Sequence, residues 1–276
     1  MPEGPEIRRA ADQIEKQLRG GPIEDAWFAF EALKPHASSL IGESVCRVDT
    51  RGKAMLIHFS DQHVLYSHNQ LYGVWKCHRA ETEPSTRRSL RARLVVQGRA
   101  ASLYSASDIS MWRACTLDQH PFLARLGPDL LSQAVSVDTV AERLALPEYR
   151  RRGLGGLLLD QGFVAGLGNY LRSEILFFAA LYPRYRPCDL SDTQTQRLAQ
   201  YIVDVTWQAY RQAGVTNSAD WTKKAQDQGE GRRQWRFAVF AREGLPCHRC
   251  ATAIERITVA SRRLYLCPYC QPDNRE

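Results

Sequence analysis

Apolar residues recur at helical spacing at the start of the chain. Ile7, Ala10, Ala11, Ile14 and Leu18 share one face of an expected helix over residues 3–19, with Glu3 and Glu6 in its first turn, where the helix dipole favours acids. From about residue 22 to 112 the period shortens. Segments 26–30, 45–50, 55–59, 64–67, 74–77, 90–96 and 101–105 read as short strands with turn residues between them, the mark of a sandwich or barrel. Residues 118–128 form a transition. Helical periodicity returns over 138–213, with helices expected at 138–146, 157–164, 170–180 and 190–212. Residues 217–234 are polar and aperiodic, as in a linker or mobile loop. No internal repeat is visible.

Charge and composition narrow the picture. The 276 residues carry 37 Lys+Arg against 30 Asp+Glu, a net charge of +7 that fits a polyanion-binding face without proving one. Hydrophobic residues make up 44%, enough for a real core. Arg8, Arg9, Asp12, Glu15 and Lys16 interrupt the N-terminal region, so no apolar signal region is expected there. The apolar run from Ile175 to Tyr182 is too short to span a bilayer. A soluble intracellular protein is expected. Cys46, Cys77, Cys115 and Cys188 are scattered and read as free thiols.

The other four cysteines are paired. Cys247-x2-Cys250 and Cys267-x2-Cys270 stand sixteen residues apart, a spacing that predicts a four-sulfur zinc site. Four thiolates close the tetrahedron, so the metal is structural. Two disulfides or inert thiols are the competing readings. Between the knuckles, 254–259 and 264–266 flank a turn Ala260-Ser261-Arg262-Arg263, an expected β-hairpin whose tip arginines could meet phosphate or simply be solvated.

Two further segments suggest chemistry. If Met1 is removed, Pro2 becomes a terminal secondary amine. An α-amino group titrates near about 7.7–8.0, against about 10.4 for lysine, so part of it is unprotonated at neutral pH and can attack a sugar carbon. The plainer reading is a proline in the first turn of a helix. Gly166-Leu167-Gly168-Asn169 joins two apolar helices. Asn169 is expected as the N-cap of the second, and the free amides there suit a phosphate. A plain helical connection is the alternative.

Pro2-Glu3-Gly4-Pro5-Glu6, Lys53 after Arg51-Gly52, Gly166-Leu167-Gly168-Asn169-Tyr170 and the terminal four cysteines occur in this order over essentially the whole chain. In this the sequence resembles the formamidopyrimidine-DNA glycosylase/endonuclease VIII family. The stretches 66–73 and 103–108 look closer to the bacterial endonuclease VIII branch.

The resemblance implies an α+β multidomain fold. A β-sandwich with a flanking helix (1–128) would precede a helix–two-turn–helix DNA-binding domain (129–222), a linker or mobile loop (223–234) and a four-cysteine β-hairpin zinc finger (235–276). It implies that Pro2 is the nucleophile and Glu3 the acid that assists sugar-ring opening. Lys53 would contact phosphate and serve β-elimination, and Arg262 would do so for δ-elimination. Gln70, Leu71 and Tyr72 would be a wedge that fills the space of a flipped nucleotide. Arg125 and Asn169 would be further DNA contacts, and His68 is a weaker phosphate candidate. Arg263 stands where the bacterial pattern more often has proline.

The expected function is base-excision repair. A bifunctional glycosylase would remove oxidised pyrimidines through a Pro2 Schiff base and cut the abasic site by β,δ-elimination. One structural Zn2+ and no catalytic metal or organic cofactor would suffice. The expected partner is damaged double-stranded DNA, met by a monomer in the bacterial cytoplasm at the nucleoid. Activity on oxidised purines is the nearest alternative. A non-catalytic zinc-finger DNA-binding protein is a second, and a zinc-ribbon module of a larger assembly a third. The tail from Gln271 to Glu276 is polar and expected to fray.

Overall fold

The computed structural model describes residues 2–132 and 134–273. Met1, whose removal the expected chemistry of Pro2 requires, lies outside the described residues, as do the last three residues of the tail. The chain divides into two compact units, 1–125 and 126–276.

The first unit begins with α1 (Gly4–Leu18), whose buried face is Ile7, Ala11, Ile14 and Leu18, as the spacing predicts. Pro5 sits in its first turn, where a missing N–H costs nothing. Next come β1 (Asp25–Phe28), a short α2 (Lys34–Ser39), β2 (Val45–Arg51), β3 (Ala54–Phe59), β4 (His63–His68), β5 (Val74–Arg79), β6 (Leu90–Val96), β7 (Arg99–Tyr104) and β8 (Asp108–Arg113). They form two antiparallel four-stranded sheets, ordered β1-β6-β7-β5 and β2-β3-β4-β8. Phe28, Leu94, Val96 and Leu103 from one sheet share a core with Val48, Met55, Ile57 and Leu65 from the other, and α1 adds its apolar face. The expected sandwich with a flanking helix is therefore present. 3-10 segments at Ala114–Gln119 and Leu123–Arg125 end the unit.

The second unit contains α3 (Val137–Ala145), α4 (Leu154–Leu157), α5 (Asn169–Phe178), α6 (Asp192–Arg211), α7 (Ala219–Asp227), α8 (Arg232–Trp235) and the hairpin β9 (Glu255–Val259) and β10 (Arg262–Leu266). Leu264 and Leu266 of the hairpin lie in the same core as Leu154, Leu157, Leu171 and Ile175 of the helices, which is why finger and helices pack as one unit.

Several expectations change in detail. The helix expected at 157–164 does not form; the single turn of α4 ends at Leu157. The Asp160 carboxylate accepts from the Gly162 amide at 2.8 Å and draws the chain into a turn. Residues 223–234, expected as linker or loop, hold the end of α7 and most of α8. Among the described residues no helix is long and apolar enough to cross a membrane.

Candidate active site

Glu3 caps α1 from an extended backbone conformation and is 3% exposed. The Glu6 carboxylate accepts from the Glu3 amide at 2.9 Å and fixes the entry of the chain into the helix. Pro2, half-buried, directly precedes this buried carboxyl group. The ring nitrogen of Pro2 and a buried carboxyl group are thus adjacent in the chain.

Lys53 lies in the two-residue turn between β2 and β3, where Arg51 pairs with Ala54. Gly52 takes a positive φ of 61°, the conformation such a hairpin needs at its first central position. Ala54 pairs across to His68 on β4, and His68 to Asp108 on β8. Burial lowers the pKa of His68; the neighbouring Asp108 charge opposes that shift and the Lys53 charge reinforces it. His68 Nδ1 accepts from the Gln70 amide at 3.1 Å, so the ring is held neutral with its proton on Nε2. His120 likewise accepts at Nδ1 from the Phe122 amide at 3.1 Å, and it stacks on Tyr66 at 3.9 Å. Tyr66 donates its hydroxyl to Asp108 at 3.2 Å.

The segment Gln70-Leu71-Tyr72 forms the apex of a tight loop between β4 and β5. The Gly73 amide closes it onto the Asn69 carbonyl at 2.7 Å. A Cβ at Gly73 would lie 2.7 Å from both Asn69 Cα and its oxygen, so only glycine fits. Gln70 takes a left-handed φ of 48°. Leu71 and Tyr72 are 56% and 68% exposed, an unusual cost for large apolar side chains and one a filler of DNA stacks requires. Arg125 is exposed, and its Nε donates to the Pro121 carbonyl at 2.8 Å.

In the second unit Gly168, not Asn169, is the N-cap of α5. Its extended backbone suits that position, and Asn169 is already the first helical residue. The Asn169 side-chain oxygen accepts from Arg172 Nη2 at 3.3 Å. The preceding turn is knit by Gln161, whose Nε2 donates to the Leu159 and Leu167 carbonyls while its Oε1 accepts from the Gly166 amide. Arg172 is fully buried. It donates to the Gly155, Val259 and Arg263 carbonyls at 2.7, 3.2 and 3.1 Å. One buried guanidinium thus joins the Asn169 turn to both strands of the finger hairpin. The sequence gives no sign of this, because an arginine on a predicted helix reads as solvated.

The hairpin turn is two residues long. Ala260 and Ser261 both take positive φ, 52° and 58°, as a twisted two-residue hairpin requires. Arg262 therefore already pairs with Val259 as the first residue of β10 and is exposed beside the tip. The sulfurs of Cys247, Cys250, Cys267 and Cys270 all lie within 4.8 Å of one another. Separations of 3.5, 3.6 and 3.9 Å match the edge of about 3.8 Å expected for a zinc tetrahedron with four sulfur ligands. The amides of Arg249 and Cys270 point to Cys247 and Cys267 sulfurs at 3.4 Å, as knuckles around a metal do. These cysteines would hold a structural zinc.

Gln271 is not frayed. It is fully buried, accepts from the Cys267 amide at 3.0 Å and donates to the Leu181 carbonyl at 2.9 Å. Glu174, also buried, accepts from the Ala238, Val239 and Phe240 amides and from the Thr216 hydroxyl. It holds the chain entering the finger against α5.

Comparisons with known proteins agree with this arrangement. Three family models match in order: the formamidopyrimidine-DNA glycosylase N-terminal domain over residues 1–107, its H2TH domain over 126–220, and the zinc finger found in FPG and IleRS over 244–272. The chain is 48% identical over 274 residues to Endonuclease 8 of Pectobacterium atrosepticum, covering 98% of this chain and 100% of the relative. It is 47% identical over 271 residues to Endonuclease 8 of Escherichia coli K12, with the same coverage. Among solved structures, Lactococcus lactis Fpg (MutM) bound to DNA containing N7-benzyl-Fapy-dG superposes with a TM-score of 0.81 at 20% identity, over 99% of this chain and 100% of that one. The same protein with DNA containing an oxidised pyrimidine gives 0.81 at 21%, with the same coverage. The structures speak for the fold; the matched domains and the near-half identity over the whole length go further, and the chain belongs to the formamidopyrimidine-DNA glycosylase/endonuclease VIII family.

Proposed function

We propose that this base-excision DNA glycosylase and abasic-site lyase removes oxidised pyrimidines through a covalent Pro2 intermediate and then cuts the strand by β,δ-elimination. The observation that carries this reading is the juxtaposition of Pro2 with the buried Glu3 at the start of α1. Once Met1 is removed, the Pro2 nitrogen lone pair attacks C1′ of the damaged nucleoside. The C1′–N bond to the base breaks, and the base departs with that electron pair and takes up a proton. Glu3 gives a proton to O4′ as the C1′–O4′ bond opens, leaving an iminium between Pro2 and C1′. The iminium acidifies the C2′ proton. Its loss expels the 3′ phosphate, and a second elimination expels the 5′ phosphate. Both leaving groups are anions, and Lys53 and Arg262 are the cations assigned to them.

The DNA is damaged duplex, held by a monomer in the bacterial cytoplasm at the nucleoid. Asn169 binds phosphate, Arg125 is a further DNA contact, and Gln70, Leu71 and Tyr72 occupy the space of the flipped nucleotide. One zinc on the four cysteines folds the finger hairpin that carries Arg262. A preference for pyrimidines is supported by the Gln70-Leu71-Tyr72 wedge and by identity to Endonuclease 8 proteins more than twice that to the Fpg structures.

The test is single-turnover excision on two duplexes, one with a thymine glycol and one with 8-oxoguanine, with the cut ends resolved. Faster excision of thymine glycol, ending in phosphate at both termini of the gap, is expected. Faster excision of 8-oxoguanine would assign the oxidised-purine activity instead. Binding of both without cleavage would leave a DNA-binding protein.

A further inference from the structure

The wedge loop leaves β4 in one sheet and enters β5 in the other. Tyr104, the last residue of β7, pairs with Val74 on one side and Leu90 on the other. Three segments therefore converge at this end of the sheet. They are the wedge loop just before Val74, residues 85–89 just before Leu90, and residues 105–107 just after Tyr104. The Ser105 amide donates to the Ser89 carbonyl at 2.8 Å and ties the last two together.

Both of these segments reach the wedge. The Ser107 hydroxyl donates to Gln70 Oε1 at 3.0 Å. The Arg88 guanidinium donates through Nη1 to the main-chain carbonyl of Tyr72. The stretch bearing Arg88 is itself turned in by a bond from its amide to the Thr86 hydroxyl at 3.2 Å. Leu71 and Tyr72 have little apolar contact to hold them, since both stand in solvent. A loop with such an apex is ordered by its polar anchors, and Arg88 is the charged one at the Tyr72 end.

We propose that Arg88 is a positioning residue for the wedge. Its bond to the Tyr72 carbonyl holds Leu71 and Tyr72 in their exposed pose before DNA arrives, so the loop is ordered during folding instead of at the binding step. The inference rests on the reading of Gln70-Leu71-Tyr72 as the filler of the vacated stack. It gives residues 85–89 a role in the reaction that their sequence does not announce.

The test uses strand cleavage at one abasic site, in a single strand and in the same strand paired opposite adenine. A wedge acts only where there is a partner strand to hold apart. Arg88→Ala should lower kcat/KM on the duplex about tenfold and leave the single-strand value within about twofold. The retained single-strand rate also shows that the variant is folded. The paired change Leu71→Ala with Tyr72→Ala should give the same duplex-selective loss. If the double variant loses duplex activity selectively and Arg88→Ala does not, the positioning role falls while the wedge stands. If the double variant shows no duplex-selective loss, the wedge reading falls and this proposal with it. An equal loss on both substrates in Arg88→Ala, with a shallower salt dependence, would make Arg88 a phosphate contact and overturn the proposal.

Discussion

Arg172 donates through Nη2 to the side-chain oxygen of Asn169 at 3.3 Å, from a position with no exposed surface. The same guanidinium reaches the carbonyls of Gly155, Val259, Arg262 and Arg263. Removing it leaves these acceptors, the buried Gly155 carbonyl among them, without the guanidinium donor. Arg172→Met should therefore cost about 3 kcal/mol of stability and weaken DNA affinity, because Asn169 and the hairpin bearing Arg262 lose their common support. Denaturant unfolding and a binding titration check this. A stable variant with unchanged affinity would show the network to be dispensable.

Gly73 closes the loop that carries Gln70, Leu71 and Tyr72, and its missing Cβ is what lets the Asn69 carbonyl approach. Gly73→Ala should distort the loop at a cost of about 1–3 kcal/mol and reduce cleavage of duplex more than of single-stranded DNA. Parallel rates on the two substrates measure it. Wild-type rates on duplex would mean that the loop tolerates another path.

Four histidines of the first unit give it a directional response to pH. Burial lowers the pKa of His36, His58, His68 and His120 below the ordinary 6.5. The folded state then binds fewer protons than the unfolded one just below that value, so stability is full above about pH 6.5 and falls as the pH drops. For His68 and His120 protonation also places a proton where Nδ1 now accepts a backbone amide. The melting temperature should fall from pH 7.5 to 5.5, and by less in His120→Gln. An equal fall in both proteins would remove His120 from the account.

Zinc removal should unfold the finger hairpin, because four thiolates crowded this closely need the cation that binds them. Chelation, or Cys267→Ser, should lower metal content and DNA affinity together. Full affinity in a zinc-free protein would separate the finger from DNA binding.

Much of this architecture is legible in the sequence where the period is strong. The buried face of α1 follows from five apolar positions, and the zinc site from two knuckles. What is hidden depends on distant partners. Arg172 finds carbonyls on a hairpin some ninety positions away, and Gln271 finds Leu181 at a similar remove. No local pattern distinguishes these two from ordinary surface residues. β8 escapes notice because most of its residues are half-buried without alternation, and α2 because it buries nothing. The placement of Asn169 one residue inside α5 turns on the backbone of Gly168, which can serve as a cap without a side chain.

The central claim is that Pro2 forms the covalent bond to sugar. Borohydride reduction during reaction with a thymine glycol duplex, followed by mass mapping of the cross-linked peptide, tests it most directly. The account predicts a reduced adduct on the nitrogen of Pro2 in chains that have lost Met1. An adduct on Lys53, or strand cleavage by chains that retain Met1, would contradict it.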